Sequence, residues 1–350
     1  MNYLDIKKPY WKRMDYQVVD EIPIQEFSNF NVSMQNIEQD GIIISNEPEL
    51  ARPKPYRGLG EYFEIENKQR LNHKLHIKIN KNVENMIVIK YTLNKENNIL
   101  INGIEIDVEE DAKAKILIYY ESFDDSFGYH NGYLRVNAKD RSELEIINLQ
   151  NLNKNSKNFT QTDFLNYNDS KVEYYDLELG SKINAVAAKS RLLGDRADIL
   201  FLPAYLVDEN RKADYEYSLL FHGKYGNGNI EARGATKDFG HKIFRGNIYF
   251  YKGCSKSTAS EGEFSILLDD TITIHAIPAM LCDEDDVVGA HAASVGKVDE
   301  DRLFYLMSRG FNPKEAKKII VESAFRPIFE KIEIDDIKEK MFTELNKRML

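Results

Sequence analysis

The sequence predicts a mainly β protein, built on a parallel β-helix core with a small N-terminal region and a C-terminal α-helical domain. Three observations carry that expectation. From His73 to Ile277, short runs rich in Ile, Leu, Tyr and Val recur between Asn, Asp, Gly and Lys turns, and many alternate apolar with polar residues. Such alternation puts one side of a strand in a core and the other in water. No helical periodicity of comparable length interrupts these runs, which argues against βαβ units, where helices of about 10 or more residues separate the strands. Beyond the last run the pattern turns helical, with cap signals at the helix starts.

Residues 1–70 are mixed. Amphipathic pieces around Trp11 and Val18 are followed by the Pro-rich segment EPELARPKPY (47–56). This reads as a small, partly helical region and a linker that Pro53 and Pro55 keep extended.

Residues 71–297 carry the strand runs. Examples are HKLHIKI (73–79), MIVIKY (86–91), KILIYY (115–120), LEIINL (144–149), VEYYDLEL (172–179), INAVAA (183–188), ADILFLPAYLV (197–207), YEYSLLFHG (215–223), NIYFYKG (247–253), FSILL (264–268) and TITIHAI (271–277). Many short strands in series fit a sandwich, a barrel or a parallel β-helix. The varied gaps and the scarcity of two-residue hairpin signals favour the last. Asn227-Gly228 alone reads as a hairpin turn. A further strand-like segment, DDVVGAH, ends at His291.

Residues 298–350 read as helical. Asp299 caps a helix through Ser308, and Gly310 supplies the left-handed stop. Asn312-Pro-Lys-Glu315 is a capping-box start with Pro at the first helical position. Ala316, Ile319, Ile320 and Ala324 form an apolar stripe, Pro327 breaks or kinks the helix, and a last helix runs over 334–350.

Composition narrows the function. With 57 acidic and 47 basic residues, the net charge is -10 and dispersed. That charge and the lack of a Lys/Arg block predict no nucleic-acid or anionic-membrane partner. The N-terminus lacks the apolar run of a signal peptide, and no stretch approaches the roughly 20 apolar residues of a membrane span, so the expected location is cytoplasmic. Two cysteines, Cys254 and Cys282, are too few for a disulfide framework or a self-sufficient metal centre.

Catalytic constellations are missing. GxxxxGK[ST], GxSxG and HExxH do not occur, and YGNGN (225–229) does not sit between a strand and a helix as phosphate binding requires. His73 and His76 face opposite sides of one strand and read as solvent-facing or loop residues rather than a metal pair. Asp269-Asp270 and Asp285-Asp286 are better explained by turn chemistry than as the paired acids of a glycosidase. Cys282, within AMLC, reads as a small buried hydrophobe. Cys254 lies beside lysines that could activate it, but the structural reading is favoured. His291 stands apart: Gly289, Ala290, Ala292 and Ala293 around it leave the imidazole accessible to another surface.

The segment DDVVGAHAASVGKVDEDRLFYLMSRGFNPKEA resembles the C-terminal signature of the SufB/SufD family of iron–sulfur cluster assembly proteins. The matching residues are Asp285-Asp286-Val287, His291, Ser294-Val295-Gly296, Asp299, Leu303 to Leu306, Ser308-Arg309-Gly310 and Glu315-Ala316. Upstream, Phe244-Arg245-Gly246-Asn247-Ile248 is similar to the family's F-x-G-x-I strand. The likeness is specific over about residues 190–326 and weak over the first hundred or so. SufB proteins carry a cysteine where Ile272 stands here, near a histidine matched by His275, and glutamates where Ala290 and Ala292 flank His291. The chain therefore resembles the SufD-like branch.

The resemblance implies a right-handed parallel β-helix with helical ends, pairing with a SufB-like paralogue and docking a SufC-like ATPase on the C-terminal helices. Phe304, Tyr305, Arg309 and Gly310 are the expected docking residues. His291 would be a transient iron ligand, shared with a thiolate of the partner, for a cluster nascent at the interface. No cofactor is expected to stay bound to the isolated chain, which would be a non-catalytic scaffold and could form a homodimer alone. Two alternatives remain: a self-sufficient SufB-type scaffold acting as a homodimer, and a β-helix carbohydrate-active enzyme. Ile272 opposes the first; the C-terminal helical signature opposes the second.

Overall fold

The computed structural model describes residues 10–11, 16–17, 30, 32–45 and 58–349. The expected linker at Pro53 and Pro55 and the piece at Val18 lie outside the described residues. In chain order the elements begin with β1 (Tyr10–Trp11), β2 (Tyr16–Gln17), β3 (Val32–Gln35), β4 (Ile42–Ser45) and α1 (Glu61–Arg70). The strands β5 (His73–Ile79), β6 (Ile87–Leu93), β7 (Ile99–Val108), β8 (Lys113–Ser122), β9 (Tyr129–Ala138), β10 (Glu143–Asn151), β11 (Lys157–Asn166) and β12 (Lys171–Glu178) follow. Next come β13 (Ile183–Leu192), β14 (Asp198–Val207), β15 (Lys212–Phe221), β16 (Asn227–Thr236), β17 (His241–Phe250), β18 (Thr258–Leu267), β19 (Thr273–Ala276), β20 (Ala279–Cys282) and β21 (Val288–Lys297). Three helices close the order: α2 (Glu300–Ser308), α3 (Pro313–Phe329) and α4 (Asp335–Met349).

These strands wind into a parallel β-solenoid of about 8 turns. Each turn gives one strand to each of two facing sheets. One sheet runs β21-β18-β16-β14-β12-β10-β8-β6-β3, the other β19-β17-β15-β13-β11-β9-β7-β5-β4, with β20 also on β17. Within these two sheets pairing is parallel except at the start, where β3 and β4 add antiparallel to β6 and β5, while β1 and β2 form a separate antiparallel pair.

One corner is built alike in six successive coils. Asp111, Arg141, Asp169, Arg196, Tyr225 and Lys256 all adopt positive φ, between 55° and 65°. Each donates its backbone N–H to a carbonyl of the next coil, the acceptors being those of Asp140, Asn168, Asp195, Lys224, Ser255 and Asp286. A non-glycine residue in this region is strained by about 1–2 kcal/mol. The hydrogen bond to the next coil offsets that strain. The corner at Tyr225 also corrects the expected hairpin: Asn227-Gly228 opens the parallel strand β16 instead. A Cβ at Gly228 would fall 2.7 Å from Phe221 Cζ, so this glycine marks close packing, not a turn.

Strand composition follows from what covers each face. In β8, Ile116 and Ile118 fill the lumen, while Leu117 and Tyr119 lie under the C-terminal helices. Both faces are buried, so KILIYY reads as a continuous apolar run. The seam of α3 is Ala316, Ile320, Val321, Phe325, Ile328 and Phe329, which shifts the expected stripe: Ile319 and Ala324 are only half-buried. Burying each of the larger side chains stabilises by about 1.5–3 kcal/mol. The helices α3 and α4 thus lie along the outer face of one sheet. Lys331 bonds Glu145 and Glu173, Lys340 bonds Glu121, and Arg348 bonds Asp208.

The helix α3 passes through Pro327 without ending, so the expected break does not fall there. Pro327 sits in the last turn, where little helix remains to be disrupted, and Ile328 and Phe329 beyond it are anchored in the core. The capping box at Asn312 and Glu315 forms as expected, as does the Asp299 cap of α2. Among the described residues no helix is long and apolar enough to cross a membrane.

Candidate functional site at the open end of the solenoid

The two ends of the solenoid differ. The first coils are covered by β3 and β4 and flanked by α1. At the other end, among the described residues, β21 pairs only with β18, and β19 and β20 pair only with β17. The lumen opens there, and His291 lies on its rim.

His291 is in register with Glu261 of β18. Neighbours in register on parallel strands point to the same face. Glu261 is only 4% exposed and faces the lumen. His291 therefore points toward the lumen mouth and is exposed because no further coil covers it. The strand does not end at His291 as expected but continues through Lys297. Ala290 and Ala292, also exposed, alternate with it along the open edge.

The floor of the mouth is polar. Lys242 and Glu263 form a buried ion pair, and the Tyr205 hydroxyl donates to the same Glu263 oxygen at 2.6 Å. Glu261 Oε2 is buried with no hydrogen-bond partner. Burial first, and the neighbouring Glu263 second, push the Glu261 carboxyl up to about 7. Across the lumen, a Cβ on Gly246 would fall 2.4 Å from Glu261 Cγ and 2.5 Å from its Oε1. The glycine of the Phe244–Ile248 motif thus leaves the space that this carboxylate occupies.

The opposite wall is broken at the same level. β19 stops at Ala276, opposite Phe244, and β20 resumes at Ala279, opposite Asn247. Ile277 and Pro278 between them leave Arg245 and Gly246 without a strand partner on that side. Proline cannot donate to a ladder, so the breach falls where the sequence places Pro278.

Cys282 ends β20 and is exposed, which corrects its reading as a buried hydrophobe. It lies on a terminal strand with no coil beyond it. Cys254 is buried, and burial and Glu284 push its thiol up to about 11, so it stays protonated and structural. His76 is not solvent-facing: it is buried against Asp107, 2.9 Å away. His73 takes a 3.0 Å hydrogen bond with Tyr91, on the other side of β5. The aspartate pairs serve turns: Asp269 accepts from Asp238 N–H, while Asp270 and Asp286 pair with Lys297 and Lys256. Among the described residues no three His, Cys, Asp or Glu side chains converge on a metal position. His291 and Glu261 offer at most part of a coordination shell.

A second feature follows the rim directly. The helix α2 buries none of its residues and packs chiefly against α3. Phe304 is 74% exposed and Tyr305 57%. Arg309 lies over the Tyr305 ring at 5.3 Å, and Gly310 ends the helix with φ 99°. Tyr305 and Leu306 also line a shallow groove with Ile319, Ile320 and Ser323 of α3. All four expected docking residues therefore lie together on one open helix end.

Comparison with known proteins agrees with this architecture. The profile of the family described as "SUF system FeS cluster assembly, SufBD core domain" matches residues 91–324. The iron-sulfur cluster assembly protein SufD of Bacillus subtilis is 32% identical over 136 residues, 39% of this chain and 31% of its own length. The SufD protein of Escherichia coli is 21% identical over 244 residues, 70% of this chain and 58% of its own length. An iron-sulfur cluster assembly SufBD family protein of Mycobacterium bovis is 26% identical over 285 residues, 81% of this chain and 31% of its own length. The chain thus spans less than two thirds of each of these relatives. The profile match covers most of the solenoid together with α2 and the greater part of α3. This chain belongs to the SufB/SufD family and is a SufD-like member of it.

Proposed function

We propose that this chain is a non-catalytic scaffold subunit of a SUF iron–sulfur cluster assembly complex. Its open solenoid end pairs with a SufB-like paralogue, its helix α2 docks a SufC-like ATPase, and His291 contributes one ligand to a cluster forming at the interface. The observation that carries the reading is the position of His291, exposed on an edge strand that lacks a neighbour on one side. The residues of β21 from Gly289 to Gly296 are small or uncharged apart from His291 itself. An edge of this kind, with free N–H and C=O groups and no Pro or inward charge to blunt it, is a template for strand addition by another protein.

Imidazole and thiolate are both competent iron ligands. A single histidine is insufficient alone, which fits a site completed by a partner's sulfur. The exposed aromatic end of α2 supplies a docking surface for the ATPase. The short connection from Lys297 to Glu300 links it to the His291 strand, so ATP hydrolysis in the partner would pull on the interface. The shared names of the relatives support the SUF assignment.

Affinity capture of the tagged full chain from its native cell tests the proposal. A SufB-like paralogue and a SufC-like ATPase are the expected co-purifying proteins. Capture of the ATPase by a chain ending before Lys297 would contradict the role given to α2.

A further inference from the structure

We propose that Glu261 is a second ligand of the His291 site, supplying a carboxylate oxygen to a divalent iron that His291 holds through nitrogen. This rests on the reading of His291 as a ligand and names a partner for it within the same chain.

The argument begins with the rung on which both residues lie. One coil earlier the position is Ile230, and before it Phe201, both buried in the lumen core. At the last buried coil the same position becomes Glu261, and at the rim it becomes His291. An apolar stack turns into a carboxylate and an imidazole only where the lumen opens. The strands are spaced by about 4.8 Å, which is within reach of two side chains converging on one ion.

Packing does not account for Glu261. It is 4% exposed, its Oε2 has no partner, and a buried polar group without one costs several kcal/mol. The nearby cation is already taken, because Lys242 pairs with Glu263. No hydrogen bond joins Glu261 to His291 among the described residues, so Glu261 does not serve to orient the ring. Space is nevertheless kept for it by Gly246, and the breach at Ile277 and Pro278 opens next to that space. A carboxylate and an imidazole suit divalent iron, manganese, cobalt or zinc, and two protein ligands leave positions open for sulfur.

Cobalt(II) titration of the isolated full chain, followed by its visible absorption, tests this without any assembly activity. The wild-type chain is expected to give a saturable band. H291A should abolish it, and E261Q should weaken binding by about 10-fold or more. E261Q keeps side-chain volume and removes a buried charge, so its thermal unfolding should be no lower than that of the wild type. A band lost in H291A but unchanged in E261Q would overturn the role of Glu261 and leave that of His291 standing. A band unaffected by either substitution would overturn both. No saturable band in the wild-type chain would overturn the two-ligand site.

Discussion

Glu261 and His291 occupy one rung of the last two parallel strands, the carboxylate sealed in the lumen and the imidazole open to solvent. The step from buried to exposed occurs between adjacent strands. It places the polar end of the solenoid within reach of whatever covers its rim.

The space beside Gly246 is the first point that can be checked. Gly246→Ala puts a methyl 2.4 Å from Glu261 Cγ, so the side chain or the strand must move. A loss of about 1–3 kcal/mol in urea unfolding is expected. Adding Glu261→Ala in the same chain should restore most of it. A neutral Gly246→Ala would show that the carboxylate is not held against β17.

Acid sensitivity should have an identifiable source in the lumen. His130 is fully buried between the amides of Asn102, at 2.9 Å, and Asn158, at 2.6 Å. Burial holds its pKa at about 4, below the ordinary 6.5. Both amides face the ring through Oδ1, and a neutral ring can donate to only one of them. The unfolded chain takes up the proton first. His130 therefore takes stability away as pH falls from 6.5 toward 4 and adds no further loss below that, on the order of 3 kcal/mol in all. The difference in stability between the wild type and His130→Asn should change over that window and be flat above it. Other buried carboxyls titrate in both proteins, so the difference isolates this residue.

Docking of the ATPase should depend on side chains that the fold does not need. Phe304 and Tyr305 are largely exposed, so replacing both with alanine should change thermal unfolding by less than about 0.5 kcal/mol. Capture of the SufC-like ATPase should be lost, while capture of the SufB-like paralogue should persist. Undiminished ATPase capture would move the docking surface elsewhere.

Much of the architecture was readable because apolar runs report burial. HKLHIKI is β5 to the residue, and the two-faced run KILIYY lies in a strand with core on both sides. Cap chemistry gave the starts of α2 and α3 for the same local reason. Strands such as β3, β4, β7, β9, β11 and β16 are not among the runs read from the sequence. In β11, KNFTQTDFLN looks solvated, yet Asn158, Thr160, Thr162 and Asn166 are all buried. Asn158 bonds His130 and Asn184 on neighbouring coils, and these rung-to-rung bonds satisfy polar groups that alternation assigns to water.

The repeat was hidden for a related reason. The left-handed corners carry Asp, Arg, Asp, Arg, Tyr and Lys, residues with no shared signature. What recurs is a backbone bond to the next coil, along with charge pairs such as Arg141–Asp111 and Arg196–Asp169, 30 and 27 residues apart. At the rim, His291 was singled out through its motif. Glu261 was not singled out, because SEGEFS reads as an exposed alternation, and only the sheet register shows that its side chain points inward.

Cluster formation on the assembled complex with His291→Ala tests the central claim most directly. The complex should purify intact, since the ring is exposed and supports no core contact. Bound iron and acid-labile sulfide should then fall to a small fraction of the wild-type content. Full iron and sulfide content on the variant complex would reduce His291 to a residue of the rim and contradict the shared-ligand account.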